Sequence, residues 1–405
     1  MGTVEKKRTI PSGKIKAALL GCIYFSTLFS FIRIGGRLSL ITLFTAAFCF
    51  YVFMEQIYRK KWTVSTKNAD TRATLYLIFL TWISCLWSVF PGITVARNYA
   101  YTILPVYFLF VKKAGIEERD AQLIDKLIVF SGFAFFLYAV AAKGFSGVLS
   151  GRFAITEDLD ENATCAALFL VLTVTTKNLI IRVKAHQRSA YYIVTLLMVT
   201  FLFLLTGSRG GLLALITWLF IAVIWNRRGR LFRIILITVF FVFAVFVIAP
   251  VILPESVYAR LFSKSSYISA VSSDKNRVAI WRYCFEALIP GIKPYGYGAG
   301  VPPYLIGSYF GRVTRGIHNT YLCCFLEYGV FGLPALLVLL LSIIKRNYSD
   351  RNWTCLGMMV GIVIIAFFLE SYSRTYFWNV LTYCSINTLH PAAGVNGLTM
   401  NKGTL

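Results

Sequence analysis

Charge is what this 405-residue chain lacks: only 14% of its residues carry any, against roughly 25% in an average soluble domain. Acidic side chains are the scarcest, with 17 Asp and Glu against 41 Lys and Arg, a net charge of +24. With 58% hydrophobic residues and a mean hydropathy of +0.69, this excludes a disordered chain, a repeat solenoid and an ordinary soluble enzyme. Histidine is nearly absent: His186, His318 and His390 are the full set. No Cys-x-x-Cys pair occurs. Cysteines such as Cys22, Cys49, Cys85, Cys165 and Cys355 lie inside apolar runs and read as small buried residues rather than a disulfide or metal framework. No His/Cys/Asp cluster has metal-ligand spacing, and no P-loop is present. The glycines of Gly296-Tyr297-Gly298-Ala299-Gly300 read as a flexible turn before Pro302-Pro303, because no strand–helix unit surrounds them.

Long apolar runs are abundant. A membrane span needs about 20 mostly apolar residues. Runs fall at about 15–33, 38–58, 73–90, 93–111, 123–142, 163–181, 190–206, 211–226, 231–252, 318–344 and 353–370, with a weaker one at 375–389. Each reads as a helix, because an open strand in lipid leaves backbone groups unpaired. The expected fold is all-α, a polytopic membrane protein with about 11–12 transmembrane helices and one long outer loop between spans 9 and 10. The expected divisions are membrane helices 1–9 over 1–252, the extracytoplasmic loop over 253–317, helices 10–12 over 318–389, and a disordered tail over 390–405. Lys6, Lys7 and Arg8 before the first run suggest an uncleaved signal anchor. If 375–389 does not span, the C-terminus lies outside.

In a soluble protein the positive charge would suggest nucleic acid. In a membrane protein it holds cytoplasmic loops in place, so no nucleic-acid partner is expected. With the N-terminus inside, 25 of the 41 basic residues fall in inner segments. The outer segments hold 14, eight of them in the long loop, and Arg97 and Lys126 lie within spans.

That topology gathers polar residues from distant positions on the outer side. Thr206-Gly207-Ser208-Arg209-Gly210-Gly211 lies between spans seven and eight. Ser208 can cap the eighth helix, whose N-terminus carries free N–H groups and partial positive charge, and Gly210 and Gly211 permit close approach of a backbone or an anion. With Arg209 this makes a phosphate or pyrophosphate cradle, or else a tight turn with Arg209 snorkelling to headgroups. Arg277 and Arg282 lie in the long loop. His318-Asn319 closes that loop at the start of the tenth span, where the helix dipole disfavours a protonated ring. A neutral imidazole there can serve as a general base, or His318 can pair with headgroups. Glu327, roughly 13 Å further along the helix, reads as a functional carboxylate or a buried structural partner. Arg97 lines the site or snorkels outward. Glu157, Asp158, Asp160 and Glu161 read as a solvated acidic loop rather than a glycosidase pair. The long loop is basic and rich in tyrosine, which suits a phosphate-bearing sugar on a lipid.

Thr206 to Ala214, then His318-Asn319-Thr320-Tyr321-Leu322 through Glu327, Gly329 and Gly332, carry a pattern. With Arg277 and Trp281 between them, and Asn162 after Gly151-Arg152, the chain resembles the O-antigen ligase and O-antigen polymerase superfamily. The resemblance covers spans five to ten and the long loop; the first four spans match only in hydropathy. It implies an enzyme of the cell inner membrane, acting at its extracytoplasmic face. Such an enzyme transfers a glycan from undecaprenyl pyrophosphate to an acceptor hydroxyl, with inversion and without a metal or other cofactor. Arg209 and Arg277 match the arginines that engage the donor pyrophosphate, and His318 the histidine that activates or orients the acceptor. Arg97, Ser208, Gly210, Arg282, Asn319 and Glu327 would be supporting residues. The implied partners are the lipid-linked donor, a glycan or lipid-linked glycan acceptor, membrane lipids, and the flippase and chain-length regulator of the same pathway. Related members glycosylate proteins, a reading weakened here because the sequence shows no large soluble acceptor-binding domain; the expectation is a polymerase of capsular, exopolysaccharide or O-antigen repeats. A ligase to lipid A core comes second. A lipid-linked oligosaccharide transporter is the alternative of another class; it would place its polar residues near the midplane and often shows an internal repeat.

Overall fold

A computed structural model describes residues 12–35, 38–60, 66–154, 160–224, 253–262, 277–314 and 316–386. The expected span 231–252 and the expected tail 390–405 lie outside the described residues.

The protein is an all-α polytopic membrane protein. Its helices are α1 (Ser12–Leu28), α2 (Leu40–Tyr58), α3 (Ala69–Ile83), α4 (Pro91–Lys113), α5 (Glu118–Val148), α6 (Glu161–Lys184), α7 (Ala190–Leu205) and α8 (Arg209–Leu219). After these come α9 (Glu255–Phe262), α10 (277–283, extended by a π turn, Cys284–Leu288), α11 (Pro302–Tyr309), α12 (Thr320–Tyr328), α13 (Gly332–Ser349), α14 (Trp353–Phe368) and α15 (Thr375–Ile386). The one sheet among the described residues is a two-residue hairpin pairing Arg33–Ile34 with Leu38–Ser39. Every expected apolar run outside the undescribed stretch holds a helix. Among the described residues, 4 helices, with α12 and α13 taken as one, are long and apolar enough to cross a membrane, and α7, α8 and α14 are shorter apolar helices. Large apolar side chains face outward, with Phe50, Phe79, Trp82 and Leu197 53–66% exposed, as a lipid-facing surface requires.

The weakly apolar run at 375–389 becomes the centre of the bundle. α15 packs against α1, α4, α6, α13 and α14, and its residues Tyr376 to Ile386 are all buried. It meets protein rather than lipid, so its polar groups pair across helices. Asn379 donates to Thr27 Oγ1 at 2.7 Å, Tyr24 and Thr382 share a bond of 2.8 Å, and Tyr383 donates to Asp125 Oδ1 at 2.7 Å. Lys177 meets both Tyr383 and Asp125. Nearby, Asp70 is buried between Lys112 and Arg346.

Two elements differ from expectation. α5 runs on through a kink at Gly144 (φ 68°) to Val148, so the connection to α6 is shorter than the gap between the expected runs 123–142 and 163–181. The run 318–344 is broken at Gly329 (φ 61°), where the backbone turns from α12 into α13. The glycines at 296–300 fill that break and are not a free turn. Tyr297 N–H donates to Leu326 O at 2.9 Å, Gly298 N–H to Glu327 O at 3.0 Å, and Val330 N–H to Pro294 O at 2.9 Å. A side chain on Gly329 would begin 1.9 Å from the Pro294 oxygen. Irregular backbone is tolerated here because protein surrounds it and satisfies its polar groups.

Candidate active site

Four segments meet at one end of the bundle and enclose a cavity of about 380 Å³. α8 contributes Ser208, Arg209, Gly210 and Gly211, and α10 contributes Arg277 and Trp281. Asn162 comes from the start of α6, and Phe368 and Leu369 from the end of α14.

The local sequence explains the α8 wall. Gly207 takes φ 61° to turn the chain, and Ser208 then caps the helix by accepting the Gly211 N–H at 3.3 Å. Arg209, the first helical residue, is exposed. The two glycines act through packing as well as beside the cavity. A side chain on Gly210 would begin 2.8 Å from the Phe368 ring, and one on Gly211 2.1 Å from Cys165 Sγ. Their bareness brings α8 against α14 and α6. The result is a helix N-terminus and two guanidinium groups around one cavity, an arrangement suited to an oxyanion of high charge.

Arg152, which the sequence offers only through the resemblance, stands behind this wall. Its Nε donates to Thr206 O at 3.0 Å and its Nη1 pairs with Glu161 at 3.3 Å. Burial lowers its pKa; Glu161 and Asp160 oppose that shift, and Arg277 adds to it. Arg152 is thus close enough to Arg277 to feel its charge, and it ties the start of α6, which carries Asn162, to the turn that carries Ser208.

His318 is half-buried beside the cavity and is not among its lining residues. Two bonds couple its segment to the walls. Trp281 Nε1 donates to Ile317 O at 2.9 Å, and Thr320 Oγ1 donates to Leu369 O at 2.6 Å. The N-cap of α12 is Asn319, whose side chain accepts the Leu322 N–H at 2.9 Å; His318 precedes it with φ 54°.

The other expected residues stand apart from the cavity. Glu327 is 2% exposed and accepts from Tyr101 Oη and Gly300 N–H, both at 2.8 Å. That is the geometry of a clamp between α4, α12 and the glycine segment. Arg97 is exposed, hydrogen-bonds Tyr304 and packs its stem over Gly300. Arg282 turns to the surface, where it pairs with Glu286 at 3.6 Å. Glu370, which follows Leu369, was not singled out in the sequence; a carboxylate ending an apolar run was the available signal.

Residues 193–337 match the family model described as O-antigen ligase. Over that stretch the chain is similar to O-antigen ligases. The match extends from α7 into α13 and includes Arg209, Arg277 and His318. It supports the O-antigen ligase and polymerase superfamily, and with it a membrane glycan-processing transferase that uses lipid-linked glycans. No curated protein matches the chain.

Proposed function

We propose that this protein is an inverting, metal-independent glycosyltransferase that polymerises undecaprenyl-pyrophosphate-linked oligosaccharide repeats at the extracytoplasmic face of the inner membrane. The observation that carries the reading is the cavity in which Arg209, Arg277 and the capped N-terminus of α8 converge, coupled through Trp281 to the His318 segment.

The chemistry follows from that arrangement. A hydroxyl oxygen of the acceptor attacks the anomeric carbon of the donor sugar from the side opposite the pyrophosphate. The carbon–oxygen bond to the pyrophosphate breaks, and its electron pair leaves on the phosphate oxygen. Negative charge grows where Arg209 and Arg277 lie, and fixed positive charge lowers such a barrier. The hydroxyl proton passes to neutral His318. Ser208 and Gly210 shape the cradle, and Asn319 holds the start of α12 beside His318. Arg97 and Glu327 brace the neighbouring α4 and glycine segment, and Arg282 adds surface charge.

The test is a reconstitution in liposomes with the undecaprenyl-pyrophosphate-linked repeat unit as sole substrate and His318→Ala as control. A ladder of products from the wild type alone is expected. A single shifted band on addition of lipid A core, with no ladder, would replace the polymerase with a ligase. Translocated but unextended substrate would replace the enzyme with a transporter.

A further inference from the structure

The loop between α14 and α15 carries a carboxylate, Glu370, that the donor chemistry leaves unused. This loop is stitched to the His318 segment on both sides of that residue. Thr320 Oγ1 donates to Leu369 O at 2.6 Å, and the Ser371 N–H donates to the same hydroxyl at 2.8 Å. Between them, Glu370 Oε2 accepts the backbone N–H of Ile317 at 3.4 Å. The carboxylate and the imidazole converge on Gly316. Glu370 Oε2, His318 Nε2 and His318 Cε1 each lie 3.7 Å from the point where a side chain on Gly316 would begin. His318 has φ 54°, a left-handed backbone that few non-glycine residues adopt. The bonds from Ile317, Thr320 and Trp281 hold its segment in place.

We propose, resting on the glycosyltransferase reading, that Glu370 is the positioning carboxylate of His318. It orients the imidazole toward the acceptor hydroxyl and stabilises the ring once it has taken the proton. The balance is that of the transfer itself. The acceptor oxygen bonds to the anomeric carbon, its proton moves to a ring nitrogen of His318, and the pyrophosphate departs with the bonding pair. An imidazolium is left beside Glu370, and a nearby opposite charge favours the protonated ring. A base oriented by a third group is a recurrent arrangement for activating a hydroxyl. The N-terminus of α12 acts in the opposite sense on the ring. The other groups facing Glu370 are Arg97 and Tyr101 from α4, Cys323 and Glu327 from α12, Arg374 from its own loop and Tyr376 from α15.

The experiment titrates His318 without turnover. Full-length protein in nanodiscs is treated with diethyl pyrocarbonate across a pH series, and modification of the His318 peptide is followed by mass spectrometry. Glu370→Gln keeps the shape and an acceptor for Ile317 while removing the charge. It is expected to lower the midpoint of His318 by about one pH unit, with Glu370→Asp restoring it. Gly316→Val, which puts a side chain where the two groups converge, is the second variant and is expected to lower the midpoint as well. In the transfer assay Glu370→Gln should lose at least about tenfold in kcat with the donor KM unchanged. An unshifted midpoint in folded Glu370→Gln, or in Gly316→Val where Glu370→Gln fails to fold, overturns the role of Glu370. Because the titration needs no donor, a wild type that transfers nothing overturns the glycosyltransferase reading independently.

Discussion

The indole N–H of Trp281 reaches the carbonyl oxygen of Ile317 at 2.9 Å. One hydrogen bond therefore joins the helix that carries Arg277 to the residue before His318. In the proposed reaction it couples the group that receives the leaving charge to the group that takes the proton. Trp281→Phe would keep a ring against Phe367, which Trp281 meets edge-on at 5.8 Å, and remove the bond. The loss of stability should be about 1 kcal/mol. Initial rates should show kcat falling about tenfold with little change in donor KM, the signature of misplaced reacting groups.

Arg209→Ala and Arg277→Ala should each reduce transfer by about 10²–10³-fold, the scale for removing one preorganised stabiliser of developing charge. Membrane insertion and detergent-extracted yield should stay at wild-type level, because Arg209 is exposed and Arg277 lines a cavity. Normal product length from either variant would refute the pyrophosphate role.

His318→Ala should lose about 10²–10⁴-fold in turnover while retaining donor binding, measured with a labelled lipid-linked substrate. Wild-type kcat should fall as the pH drops through the titration of the imidazole, because only the neutral ring accepts a proton. A loss of donor binding in the variant would make His318 a binding residue.

Chelation should leave the reaction untouched. Product formation after EDTA treatment and desalting is expected to match the untreated sample; inhibition that Mg²⁺ reverses would contradict the metal-independent scheme.

Gly329→Ala tests the fold. The substitution meets both a positive φ of 61° and an oxygen 1.9 Å from the new carbon. A loss of more than about 2 kcal/mol is expected, visible as a lower unfolding temperature in detergent. A wild-type unfolding temperature would mean that the glycine segment does not pack into the break between α12 and α13.

The apolar runs, the polytopic all-α class and the capped start of α8 were legible because each rests on local pattern: about 20 apolar residues for a span, and a serine before a helix. Arg209, Arg277 and His318 could be nominated because charge and imidazole are rare in this composition. Their neighbourhood was not legible. Asn162, Phe368 and Leu369 join the cavity from α6 and α14, and nothing in their local sequence records it. Arg282 is five residues from Arg277 yet faces the surface with Glu286, because that separation falls on a different side of a helix.

What the sequence determined by itself was therefore the solvent: a chain this poor in charge must place its helices in lipid. The tertiary structure decided which polar groups meet. It buried α15 at the centre despite its weak hydropathy, since a helix surrounded by protein can satisfy Asn379, Thr382 and Tyr383 across its neighbours. It also turned Glu327 into a clamp on Gly300 and Tyr101 and brought Glu370 to Gly316 beside His318. Those contacts join residues up to hundreds of positions apart, and only the packing of whole helices sets such distances.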